Sequence, residues 1–99
     1  MVKHIVMWTI QDAQGRSKEE NLKLLKSKLE VLPAVIPQIE DYQVGINSMA
    51  SDAAFDIVLI STFKTWEDLE TYKNNPVHVE VADLIANIRD QRAVVDFEV

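Results

Sequence analysis

The sequence has no cysteine, two histidines, two glycines and three prolines among 99 residues. Without cysteine there is no disulfide, no thiolate nucleophile and no thiolate metal ligand, and a cytoplasmic location is the default expectation. The two glycines, Gly15 and Gly45, stand too far apart for a phosphate-cradling loop, and no GxSxG elbow occurs. The two histidines, His4 and His78, form no HxH or HExxH spacing, which argues against a tight metal site. Neither a metal nor a cofactor is therefore expected.

Positive charge is also scarce. Ten Lys and Arg face 16 Asp and Glu, a formal net charge of −6, with no basic cluster. Such a chain is repelled by a phosphate backbone and by an anionic bilayer, so neither nucleic acid nor membrane is an expected partner. No apolar run approaches the ~20 residues of a membrane span. The opening MVKHIVMWTIQDAQG lacks a small-residue cleavage site and reads as a strand, not as a targeting signal.

What is present is 47% hydrophobic residues in a length that suits one domain, residues 1–99. A chain of this size buries roughly 65% of its extended surface, enough for one modest core. VKHIVMWTI, residues 2–10, is a strand candidate with Val2, His4, Val6, Trp8 and Ile10 on one face. Past Lys3 the other face, Ile5, Met7 and Thr9, is largely apolar as well.

SKEENLKLLKSKLEVLP follows, with Ser17 and Glu20 in capping-box spacing and Leu22, Leu25, Leu29 and Leu32 in an amphipathic helical stripe. Pro33 is expected to end the regular part of that helix. Residues 39–47 read as a weaker strand, and 55–63, FDIVLISTF, as a strand apolar on both faces. Thr65 and Asp68 echo the first cap and open a second helix, Pro76 restarts a helix through about Asn87, and RAVVDFEV closes with a strand.

The order strand, helix, strand, strand, helix, strand predicts an α+β, ferredoxin-like βαββαβ domain with a four-stranded antiparallel sheet and the helices on one face. That arrangement poses a physical problem. Helices on one side cover one face of the sheet, yet the central strands are apolar on both. Soluble monomers rarely leave such a face in water. The expectation is an obligate homodimer, two sheets packed face to face about a two-fold axis, forming a dimeric α/β barrel.

The polar oddities collect around TYKNNPVH, residues 71–78. Asn75 and Pro76 fit the cap and first residue of a new helix, which places His78 in its first turn. The positive end of the helix dipole there favours a neutral imidazole able to accept a proton. In one unbroken helix Tyr72 and His78 would lie roughly 120° apart; a break at Pro76 lets both turn toward one pocket. Asp96, an ionisable residue in an otherwise apolar strand, is the candidate partner that orients His78. A plainer reading stands beside this one, with Tyr72 in the core, His78 a satisfied edge histidine and Asp96 closing a strand end. His4, on the Trp8 face of the first strand, reads more simply as a packed residue than as a ligand.

VKHIVMWTI, FKTWEDLETYKNNPVHVEV and RAVVDFEV together resemble the stress-responsive A/B-barrel (Dabb) domain family, over essentially the whole chain. The resemblance implies a dimeric α+β barrel. In one plant member, olivetolic acid cyclase, which closes a linear polyketide by intramolecular aldol condensation without cofactor or metal, a tyrosine and a histidine carry the chemistry. The matching positions are Tyr72 and His78, and a strand-1 histidine and strand-4 aspartate match His4 and Asp96. Asn75 departs from the histidine found before the proline in that enzyme, which alters the pocket lining.

The resemblance thus implies a homodimer with a small apolar pocket and no assigned reaction, as for most members. Its cyclase-like alternative uses His78 as base, Asp96 as its orienting group and Tyr72 as oxyanion donor on a small, largely apolar carbonyl compound. A third reading, a heme- or quinol-type monooxygenase of the wider dimeric-barrel superfamily, rests on a loose echo in Trp66 and His78. The strand-1 asparagine of the heme-degrading members is absent.

Overall fold

The computed structural model describes residues 1–99. The elements are β1 (Val2–Ile10), α1 (Lys18–Val35), β2 (Asp41–Ile46), β3 (Ile57–Phe63), α2 (Trp66–Asn74), α3 (Pro76–Ile88) and β4 (Arg89–Glu98). All sheet pairings are antiparallel, in the order β2-β3-β1-β4. This is the expected ferredoxin-like order, with the second helical region divided in two.

Local chemistry sets the helix starts. The Ser17 hydroxyl accepts from the Glu20 N–H at 3.1 Å while the Glu20 carboxylate accepts from the Ser17 N–H at 3.0 Å. Two orphan donors of the first turn are satisfied reciprocally. Ser17→Ala is expected to cost about 1 kcal/mol, read as a fall of about 4–8 °C in the thermal midpoint by circular dichroism. Thr65 caps α2 through the Asp68 N–H, and the Asn75 Oδ1 caps α3 through the Val77 N–H at 3.0 Å.

Pro33 does not end α1, which continues through it to Val35. Its ring lies on the exposed side, while Leu32 and Ile36, four residues apart, are fully buried. Their burial holds the last turn against the sheet, and the Ile36 N–H still reaches the Leu32 carbonyl at 2.9 Å. Pro33 has no N–H for the Leu29 carbonyl, a loss confined to the last turn of α1.

The core lies between the helices and one face of the sheet. Leu22, Leu25, Leu29 and Leu32 of α1 meet Val2, Val6 and Trp8 of β1, Ile57, Leu59 and Phe63 of β3, and Leu69, Tyr72, Val81, Ile85 and Ile88 of α2 and α3. Val77, at the start of α3, is exposed and stands outside this core. The helices pack on β1, β2 and β3. β4 extends past them and is exposed along nearly its whole length.

The opposite face of the sheet carries no helix. There Ile5 lies between Val95 and Ile60, and Met7 between Ala93 and Val58, while Lys3 lies between Phe97 and Thr62. Val95 is 61% exposed, Phe97 40% and Met7 37%. The Lys3 ammonium, the one charge in the middle of this face, is tied to the Thr62 hydroxyl at 3.1 Å. No helix of the chain is long and apolar enough to cross a membrane.

Candidate functional site

Because β4 outruns the helix layer, a cleft of about 410 Å³ opens between α3 and the β1–β4 edge. Its polar end is lined by His4, Tyr72 and His78, and its apolar wall by Val6, Trp8, Leu29, Leu59 and Ile85. A larger hollow of about 560 Å³ lies elsewhere, where Met7, Val58 and Gly45 of the open face meet the loop carrying Ala53 to Phe55. It has no titratable side chain in its lining.

Tyr72 and His78 meet because the chain turns between them. Asn75 is extended at φ −64° and ψ 131°, ending α2 and starting α3 in one step. The ring centroids come to 4.4 Å, as the bend at Pro76 predicts. Tyr72 is fully buried, and His4 stands edge-on to it at 6.3 Å.

The partners of the two histidines differ from the expectation. Asp96 binds the Nδ1 of His4, not His78. The cause is register: β1 and β4 pair with His4 directly opposite Asp96, and both side chains rise on the helix side. His78 takes its orientation from the backbone instead, its Nδ1 lying 3.0 Å from the Lys73 carbonyl. A carbonyl only accepts, so Nδ1 carries the proton and Nε2 is left as the acceptor. A carboxylate imposes the same tautomer on His4.

Tyr42 is a partner that sequence reasoning missed. Its hydroxyl lies 2.9 Å from that of Tyr72, with the rings edge-on at 6.2 Å. The alternation of β2 could have flagged it as an inward residue; its opposition to Tyr72 depends on tertiary placement. Burial pushes the Tyr72 phenol up to about 12, and burial together with Tyr72 pushes Tyr42 higher still. Both therefore remain protonated, and either hydroxyl can donate to the other; with Tyr42 as donor, the Tyr72 proton is free for an oxygen in the cleft.

Burial lowers both histidines below the usual 6.5, in His4 against the opposing pull of Asp96 and in His78 against the Lys73 carbonyl. Burial is the first cause of the neutral His78. Unfolding restores the ordinary value, so below pH about 6.5 the unfolded chain binds more protons than the native one. The stability of the neutral histidines is complete above that pH and is lost as pH falls toward the folded values. The thermal midpoint is expected to drop from pH 7 to 5.5, and His78→Gln to flatten that slope.

Trp66 is not brought to this site. It is 44% exposed, and its indole N–H donates to Glu98. The Trp8 indole N–H is the one enclosed side-chain donor without a partner, an omission that costs roughly 1–3 kcal/mol. No cluster of three or more His, Asp or Glu side chains is arranged to hold a metal.

A family model for the stress responsive A/B barrel domain matches residues 2–99. The chain belongs to this family. A dimeric protein of unknown function with a ferredoxin-like fold from Bacteroides fragilis NCTC 9343 is 34% identical to this A/B-barrel chain, covering 99% of it and 95% of its own length, with a TM-score of 0.84. A dimeric ferredoxin-like protein of unknown function from Thermobifida fusca is similar at 20% identity and TM-score 0.86, over 99% of this chain and 90% of its own. The hydroxynitrile lyase of Passiflora edulis shares the fold at 16% identity and TM-score 0.77, over 97% and 90%. No curated protein matches the A/B-barrel sequence.

Proposed function

We propose that this A/B-barrel chain is a homodimer joined through its open sheet face, and that the cleft of each copy moves protons on a small, largely apolar carbonyl compound. The dimer is supported by the apolar rows around Ile5 and Met7, which no helix covers, and by the dimeric relatives. The absence of cysteine fits a cytoplasmic location.

The observation that carries the acid–base reading is the meeting of Tyr72, His78 and His4 on one apolar cleft, with both histidines neutral and their tautomers fixed. A carbonyl oxygen placed at Tyr72 receives its O–H, and the neutral Nε2 of His78 removes a proton from the adjacent carbon. Negative charge then develops on that oxygen, where the Tyr72–Tyr42 relay strengthens the donor. Protonation of the enolate or its attack on a second carbonyl completes the step. A second reading exchanges the histidines, favoured by Asp96, which compensates positive charge on His4 better than a backbone carbonyl does on His78.

The test is deuterium exchange at the carbons flanking the carbonyl, followed by proton NMR in D₂O for a panel of medium-chain methyl ketones and 1,3-diketones. Exchange above the buffer rate for one panel member is expected. Ligand-induced thermal stabilisation without exchange would leave a binding protein and remove the catalytic role.

A further inference from the structure

We infer that the carbonyl compound taken by the cleft carries a carboxylate at its far end, held by Arg89 and Arg92. This inference rests on the carbonyl reading of the polar end and adds the other half of the ligand. The decisive feature is an irregularity in the β1–β4 ladder. Trp8 pairs with Arg92 and Ile10 with Arg89, so between these pairs one residue of β1, Thr9, opposes two of β4, Asp90 and Gln91. Residues three apart in a regular strand point to opposite faces. The bulge cancels that alternation, and both arginines line the same cleft as His4 and Tyr72. Bulges are a recurrent means of re-aiming side chains beside sites.

Neither guanidinium is neutralised. The ion pairs of the fold are made by other side chains. In a chain of net charge −6, two free guanidiniums converging on one cleft stand out against an acidic background. The Trp8 indole, whose N–H has no acceptor, lies in the same wall opposite Arg92. Planar guanidinium forks match a carboxylate.

The spacing describes the ligand further. Trp8 stands four positions along the strand from His4, about 13 Å at the ordinary rise. Between the two ends lie Val6, Leu59, Ala82 and Ile85, which offer only hydrocarbon. The geometry points to an oxo-acid whose ketone and carboxylate stand at opposite ends of an unbranched aliphatic or aryl-alkyl stretch.

The probe is 8-oxononanoate, compared with its neutral amide, 8-oxononanamide, by isothermal calorimetry on the intact protein. Fluorescence of Trp8 in a Trp66→Phe background, which leaves a single tryptophan, reports on the same end. The keto acid is expected to bind at least tenfold more tightly than the amide, with a salt-sensitive affinity and a change in Trp8 emission. Arg92→Gln and Arg89→Gln are each expected to remove most of that preference, the affinity for the acid falling toward that for the amide. Equal affinity for acid and amide, or arginine variants that hold the acid as the parent does, would overturn the carboxylate end. If Tyr72→Phe still weakens both ligands in that case, the carbonyl reading survives alone. Failure of both probes to bind removes the carboxylate end; failure of the neutral ketone panel to exchange as well removes the carbonyl reading with it.

Discussion

Replacing Val95 with glutamate is expected to turn the proposed dimer into a monomer at micromolar concentration. Val95 stands beside Ile5, which in turn stands beside Ile60, in the middle of the uncovered face. In a lone chain Val95 is 61% exposed, so a glutamate there stays hydrated and costs the monomer little. A two-fold interface meets the substitution twice, once from each copy. An unpaired carboxylate enclosed between sheets costs several kcal/mol, and at 1.4 kcal/mol per tenfold the pair weakens association by about 10³-fold or more. Sedimentation velocity over a dilution series reads this directly. A Val95→Glu protein that keeps the parent's mass across the series would remove the dimer from this face.

The second large effect concerns the rate of deuterium exchange. His78→Ala removes the proposed base, whose ring centroid lies 4.4 Å from that of Tyr72, and general-base catalysis contributes typically 10²–10⁴-fold. Tyr72→Phe keeps the buried ring and deletes the donor; loss of one preorganised oxyanion donor costs about 10²–10³-fold. That variant also strands the Tyr42 hydroxyl, a stability loss of about 1–3 kcal/mol that thermal unfolding measures separately. Tyr42→Phe, which removes only the relay, should lower the rate by a smaller factor. Full activity in His78→Ala with loss in His4→Ala would hand the base role to the Asp96-bound histidine.

Much of this architecture is written in local signals. The strict alternation of Val2, His4, Val6, Trp8 and Ile10, the leucine stripe from Leu22 to Leu32 and the cap at Ser17 each specify an element on their own. The encounter of Tyr72 with His78 was legible too, because Asn75 and Pro76 together mark a break. What escaped depends on register between distant strands. Asp96 belongs to His4 only because β4 pairs with β1 in one alignment, across 92 residues of chain. Arg89 and Arg92 share a face only because the ladder slips by one residue there. Tyr42 reaches Tyr72 from the far edge strand, through the helix layer. Pro33 misled for a related reason: its local preference was outweighed by the burial of Leu32 and Ile36.

The overhang of β4 separates two jobs that compact domains usually fuse. Ala82 and Ala86 border the cleft from α3 and are exposed, while Val81, Ile85 and Ile88 of the same helix anchor it in the core. Larger or more polar groups at the two alanines would reshape the chamber at small thermodynamic expense. Substitution at these two positions can therefore change what the cleft would accommodate while the buried anchor of α3 and the open face of the sheet stay untouched.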